Sequence, residues 1–128
     1  MKVMGIDPGA EHMGLAVVVN NDSELKSGGS AIVEVHREKK EEYHEYRKRL
    51  IHFWTREGPF WLDHWEPDII AVEIVPVVGG GNFVAATQSQ LASAAVSVLY
   101  VLAIQRDIPI RQQGATTMLR NIGGSNKA

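Results

Sequence analysis

The sequence predicts an α/β domain built on a mixed five-stranded sheet, with elements in the order β-β-β-α-β-α-β and helices flanking the sheet. Three observations predict it. Apolar runs near the N-terminus are separated by short turn-forming stretches. A highly charged segment with apolar residues at helical spacing follows. A continuous apolar strand then precedes a long apolar helix, as in a right-handed crossover.

Lys2–Asp7 reads as a buried strand and Met13–Asn20 as a second, closed by the turn formers Asn20-Asn21-Asp22. Gly28-Gly29 opens a third, Ser30–Val35. Arg37–Arg56 carries Tyr43, Tyr46, Leu50, Phe53 and Trp54 at near-helical spacing, an amphipathic helix that Gly58-Pro59 is expected to break. Phe60–Trp65 is left as a short aromatic segment, with Trp54, Trp61 and Trp65 expected to pack the crossover helix onto the sheet. Pro67 leads into the strand Asp68–Glu73. Gly79-Gly80-Gly81 is a loop, and Asn82 is a suitable N-cap for a helix over Phe83–Arg106. Ile108–Arg111 is the last strand, and Ala115–Arg120 one or two helical turns. No repeat or second domain interrupts this order, so residues 1–128 are expected to form a single domain.

Composition narrows the chemistry. There is no cysteine among the 128 residues, which excludes disulfides, thiolate metal sites and cysteine nucleophiles. The formal net charge is −2, so no global positive field is available to attract nucleic acid. The distribution is uneven: from Arg106 onward, Arg106, Arg111, Arg120 and Lys127 stand against Asp107, a local balance of 4 − 1 = +3. The N-terminus enters a strand directly, and the longest apolar run, Ala94–Ile104, is too short for a bilayer; the expectation is a soluble, cytoplasmic protein.

Two carboxylates carry the functional signal. Asp7 ends the first strand and Glu73 ends the fourth. A carboxylate at the end of a buried strand needs a cation, a donor or a metal. If these strands are parallel neighbours, both acids project at the strand C-termini, where open α/β sheets bind ligands. Two hard oxygen donors favour Mg²⁺ or Mn²⁺ over zinc, and such ions act on phosphodiesters. Asp7 before Pro8-Gly9 also reads as a turn former, and Glu73 as an ion-pairing residue at the strand rim.

Gly5-Ile6-Asp7-Pro8-Gly9 followed by Gly14 and Ala16, Ile70-Ala71-Val72-Glu73, Asn82 opening a long helix, and the tail Ile122-Gly123-Gly124-Ser125-Asn126-Lys127 occur in that order along the chain. The ordered set resembles the RuvC branch of the RNase H-like nucleases, the Holliday-junction resolvases. The resemblance implies an RNase H-like fold and a homodimeric, Mg²⁺-dependent endonuclease (Mn²⁺ as substitute) acting on four-way or branched DNA in recombination and repair. It makes Asp7 and Glu73 catalytic metal ligands and Lys127 a phosphate contact. The family's aromatic wedge after the second acid is replaced here by Ile74-Val75-Pro76, which leaves Phe83 as its substitute. The family's basic residue in the penultimate segment has Thr116, Thr117 and Arg120 in its region. The family completes its site with acids on one further helix; after Glu73 this chain has only Asp107, so residues 1–128 are expected to lack that helix.

Other features bear on partners. Ala85, Ala86, Ala92, Ala94, Ala95 and Ser97 suit either close helix contact across a homodimer or burial within one chain. The basic residues of Arg37–Arg49 alternate with Glu38, Glu41, Glu42 and Glu45, the pattern of a solvated helix face. The five histidines show no metal-ligand spacing, and His12 reads as a surface residue. A catalytically silent module that binds branched DNA or protein is the alternative function. A nucleotide-handling fold with two large lobes does not fit within 128 residues.

Overall fold

Alternation of side chains along the first strand, β1 (Lys2–Asp7), sets the layers of the molecule: Met4 and Ile6 are fully buried, while Gly5 and Asp7 take the opposite face. The structure is a computed structural model that describes residues 1–22, 24–73 and 83–113. The remaining elements are β2 (His12–Asn21), β3 (Glu24–Glu34), α1 (Tyr43–Trp65), β4 (Ile69–Glu73), α2 (Phe83–Gln105) and β5 (Ile110–Gln113). The sheet runs β3-β2-β1-β4-β5. Its first three strands pair antiparallel, and β4 and β5 add in parallel, so the mixed five-stranded sheet is present in the expected order.

Both helices serve one face. Met4, Ile6, Met13, Leu15, Val17, Ile70 and Val72 from the sheet pack with Trp54, Leu62 and Trp65 of α1 and Ala95, Leu99 and Ala103 of α2. By length and composition, Ala86–Gln105 would also suit a bilayer. Here Leu91, Ala95, Leu99 and Ala103 are committed to the core, while Val101 and Ile104 are exposed on the outer side of the helix.

The first helix departs from the expectation at both ends. It runs through Gly58-Pro59 and absorbs the aromatic segment. Its buried residues are Tyr46, Leu50, Trp54, Gly58, Leu62 and Trp65, one stripe at helical spacing that continues past the proline. An interior proline costs roughly 3 kcal/mol. Burial of Leu62 and Trp65 beyond it, worth about 1.5–3 kcal/mol per large side chain, offsets that cost. Gly58 lets α2 lie close: a Cβ there would fall 2.5 Å from Leu102 Cδ1 and 3.2 Å from Leu99 Cδ2.

At its start the helix begins at Tyr43, because residues 37–42 are held in a different turn. Lys40 has φ 70°, a left-handed conformation that stops a helix. Glu41 accepts the Glu38 amide at 3.0 Å and is gripped by Arg49 through Nε at 2.9 Å and Nη2 at 2.8 Å. Arg37 donates to the Glu41 carbonyl. Arg37 and Arg49, two of the basic residues of the Arg37–Arg49 stretch, are therefore engaged within the fold.

The third strand is longer than expected, because Gly28 and Gly29 lie inside it. Val17 pairs with Gly29 and Val18 with Ser27, so Gly28 is the extra residue of a bulge. Gly29 has φ 131° and packs against the Trp65 indole, where a side chain would be strained. The fourth strand starts one residue late, because the Asp68 side chain accepts the Lys2 amide at 2.7 Å while the Asp68 amide donates to the Lys2 carbonyl at 2.8 Å. The last strand is shifted to Ile110–Gln113, after Asp107 turns the chain with φ 54°.

Two consequences are testable. Trp54 is 1% exposed at the centre of the core, so Trp54→Ala should lower stability by about 3–5 kcal/mol in urea unfolding. The Arg49 guanidinium, then the Glu38 amide, hold the Glu41 carboxyl down at about 2. A depressed carboxylate stabilises the fold above its unfolded value near 4.5 and loses that contribution as pH falls toward 2. Glu41→Gln should therefore have a lower urea midpoint than the parent at pH 7, with the gap closing between pH 5 and 2.

Candidate functional site

Asp7 and Glu73 meet because β1 and β4 run parallel in register, Val3 beside Ile69 through Ile6 beside Val72. One residue further, the two strand ends carry the two acids. Alternation places both on the sheet face opposite the helices, since Met4, Ile6, Ile70 and Val72 occupy the helix side. On that face, Asp7 lines an apolar concavity with Val3, Gly5, Gly14, Ala16 and Ala71. The small residues keep the space beside the carboxylates open. Gly14 is the register partner of Asp7, and a Cβ on it would sit 3.3 Å from Asp7 Cβ.

The turn after Asp7 is fixed from below. Ala10 is buried with Val35, Tyr46, Leu50 and Leu91, a small second core between the turn, α1 and α2. Gly9 is required by contact: a Cβ there would lie 1.9 Å from the His12 carbonyl oxygen. Pro8-Gly9 therefore shapes a turn, as the sequence suggests, and the same turn presents Asp7 beside Glu73.

The two acids share a hydrogen bond, and burial followed by the Asp7 carboxyl holds the Glu73 carboxyl above its ordinary value. Two carboxylates in contact repel when both are ionised, so one favours its protonated form until a cation arrives. Oxygen-only donors and a local excess of negative charge suit a hard divalent cation.

The whole chain also matches a known family: residues 3–128 fit the family described as crossover junction endodeoxyribonuclease RuvC. The chain belongs to the RuvC family. The RuvC of Cutibacterium acnes is 32% identical over 128 residues, covering 99% of this chain and 60% of that protein. The chain thus spans less than two thirds of that relative's length. Among solved structures, Thermus thermophilus RuvC superposes with a TM-score of 0.65 at 19% identity, covering 99% of this chain and 74% of that one. The same enzyme in complex with a Holliday junction substrate gives 0.65 at 22% identity over 94% of this chain and 67% of that one. These structures share the RuvC fold, including its RNase H-like sheet.

Of the other RuvC-type positions, Arg120 and Lys127 lie outside the described residues, as do Asn82 and the glycine-rich tail. Phe83 opens α2, and its side chain is outside the described set. One grouping that sequence spacing does not reveal is present. His12 and His36 lie 24 positions apart, yet the β2–β3 hairpin pairs His12 with Glu34 and brings the two imidazoles together in a T-shaped contact, ring centres 5.1 Å apart. The expectation of histidines without ligand spacing holds along the chain and fails in space. Extending the β2–β3 register to its last pair is the signal that finds them.

The raised Glu73 carboxyl yields a test in metal-free buffer. Asp7→Asn should move the Glu73 titration part-way down toward the ordinary glutamate range, because burial, the larger cause, remains. A carboxyl raised in the folded state opposes folding once it ionises. The same variant should therefore melt a few degrees higher than the parent at pH 7 in chelator. Carboxyl-carbon NMR and thermal unfolding measure both; an unmoved Glu73 titration would sink the coupling.

Proposed function

We propose that the chain is the nuclease part of a metal-dependent endonuclease that hydrolyses phosphodiester bonds in four-way or branched DNA, in recombination and repair. One observation carries this reading: in a RuvC-family chain, Asp7 and Glu73 stand in contact at adjoining ends of two parallel strands. Residues 1–128 act as one RNase H-like nuclease domain in this reading.

The pair fits a divalent ion, since it offers oxygen donors, concentrates negative charge and has space beside it at Gly14. Asp7 and Glu73 would hold Mg²⁺, or Mn²⁺ in its place; the bound metal supplies Lewis-acid stabilisation and an activated water. The chain's own part is positional. The β1–β4 register fixes the two carboxylates, Ala10 anchors the turn behind Asp7, and Gly14 keeps the approach to Asp7 open. The two carboxylates would hold the ion without reorganisation, and the ion would offset their repulsion of a scissile phosphate.

DNA affinity in this reading comes from local contacts, because the net charge is −2. Arg120 and Lys127 would contact phosphates, and Phe83 would wedge against a base at the branch. A homodimer would use the outer side of α2, where Ser93, Ser97, Val101 and Ile104 are exposed in a row. A two-fold pair would set two sites against a symmetric four-way junction. A cytoplasmic location belongs to the same reading.

The test is cleavage of a four-way junction by the full-length protein in Mg²⁺. Asp7→Asn and Glu73→Gln should each lower the rate by roughly a hundredfold or more while junction binding persists. Binding should weaken steeply as salt rises from 50 to 200 mM. Intact cleavage by Asp7→Asn would end the proposal; binding by the parent with no cleavage in Mg²⁺ or Mn²⁺ would mark a silent module instead.

A further inference from the structure

We propose that His12, Glu34 and His36, with Glu11 behind the His36 ring, form a second cation site, selective for a transition-metal dication such as Zn²⁺ and separate from the Asp7–Glu73 pair. Glu34 stands between the two imidazoles: its Oε1 is 3.4 Å from His12 Nε2, and its Oε2 is 3.1 Å from His36 Nε2. Glu11 Oε2 lies 3.7 Å from His36 Nδ1. Ligand atoms of His12, Glu34 and His36 all fall within 4.8 Å of one another. Donors around a tetrahedral zinc, each about 2.0–2.2 Å from the ion, are roughly 3.4 Å apart. Glu11 faces the other nitrogen of the His36 ring and would orient that imidazole, leaving the fourth position to water.

The backbone beneath these donors is pinned. His12 and Glu34 are the end pair of the β2–β3 ladder. The Val35 amide donates to the Glu11 carbonyl at 2.9 Å, and Arg49 Nη2 donates to the His36 carbonyl at 2.6 Å. Tyr46 Oη donates to the Val35 carbonyl, and the Arg37 amide to Glu11 Oε1 at 3.3 Å. Two elements and two connections therefore converge on one point of the surface. Metal ligands joined this way need little ordering on binding.

The donor set separates the two sites chemically. Imidazole nitrogens suit zinc, copper and nickel, whereas magnesium takes oxygen and water. Two carboxylates and two neutral imidazoles carry −2, which a dication cancels. His36 already attracts positive charge: the Glu34 carboxylate, with Glu11 behind it, raises its affinity for a proton. A dication in that place would clamp the turn that follows Asp7 to the connection between β3 and α1.

The test uses full-length protein in 5 mM Mg²⁺ with Zn²⁺ delivered from a chromophoric chelator, and Co²⁺ as a spectroscopic probe. One equivalent of Zn²⁺ should bind, with an intense tetrahedral-type Co²⁺ spectrum. His12→Ala/His36→Ala should weaken binding at least tenfold and lose the spectrum, whereas Asp7→Asn/Glu73→Gln should keep both. His12, His36 and Asp7 are exposed and Glu73→Gln is nearly isosteric, so circular dichroism should show the variants folded. Unchanged zinc affinity without the histidines, loss of the spectrum in the Asp7/Glu73 variant, or no saturable binding below about 100 µM would each overturn the site.

Discussion

Everything at the candidate site depends on the register between β1 and β4. Lys2 and Asp68 fix it at the far end, through one bond from the Lys2 amide to the Asp68 carboxylate and one from the Asp68 amide to the Lys2 carbonyl. Asp7 lies five residues after Lys2, and Glu73 five after Asp68. Equal rise along parallel strands then brings the two acids level. A slip of one residue would turn Glu73 and Ala71 to the helix side and take Ile70 and Val72 out of the core. The carboxylates would repel if left to themselves; the core formed by Ile6, Ile70, Val72 and Leu99 holds them together.

Much of this was legible in the sequence because it rests on short-range signals. Apolar runs ending in an acid, turn formers between strands and a long apolar helix each report on neighbours along the chain. The positions of Asp7 and Glu73 at strand ends followed from them. What was not legible rests on tertiary packing. Pro59 looks like a helix stop until Leu62 and Trp65 are seen to continue the buried stripe beyond it. Gly28-Gly29 looks like the opening of the third strand until the ladder shows a bulge inside it, opposite Val17 and Val18. The charged stretch before Tyr43 has helical composition, but Glu41 and Arg49 satisfy one another better in a turn.

The histidine cluster belongs to the same lesson. Spacing along a chain finds ligands on one helix or in one loop; a hairpin brings together residues whose separation depends on the length of both arms. Here a bulge sits within those arms, so counting alone misses the pair. The same hairpin lies directly behind the turn that presents Asp7. Two groups of different chemistry, carboxylates on one side and imidazoles on the other, are thus linked by the four residues between Asp7 and His12.

The bulge also bears on how the molecule keeps to itself. β3 is an edge strand of 11 residues, long enough to template pairing with another chain. Its unpaired amides and carbonyls would form a straight ladder if the strand were regular. The extra residue at Gly28 bends it, Glu24 and Lys26 set opposite charges along it, and Gly29 ties it down to Trp65. A sheet that gathers its two acids at the centre thereby ends in a bent, charged border, a poorer template for a further strand than a flat one.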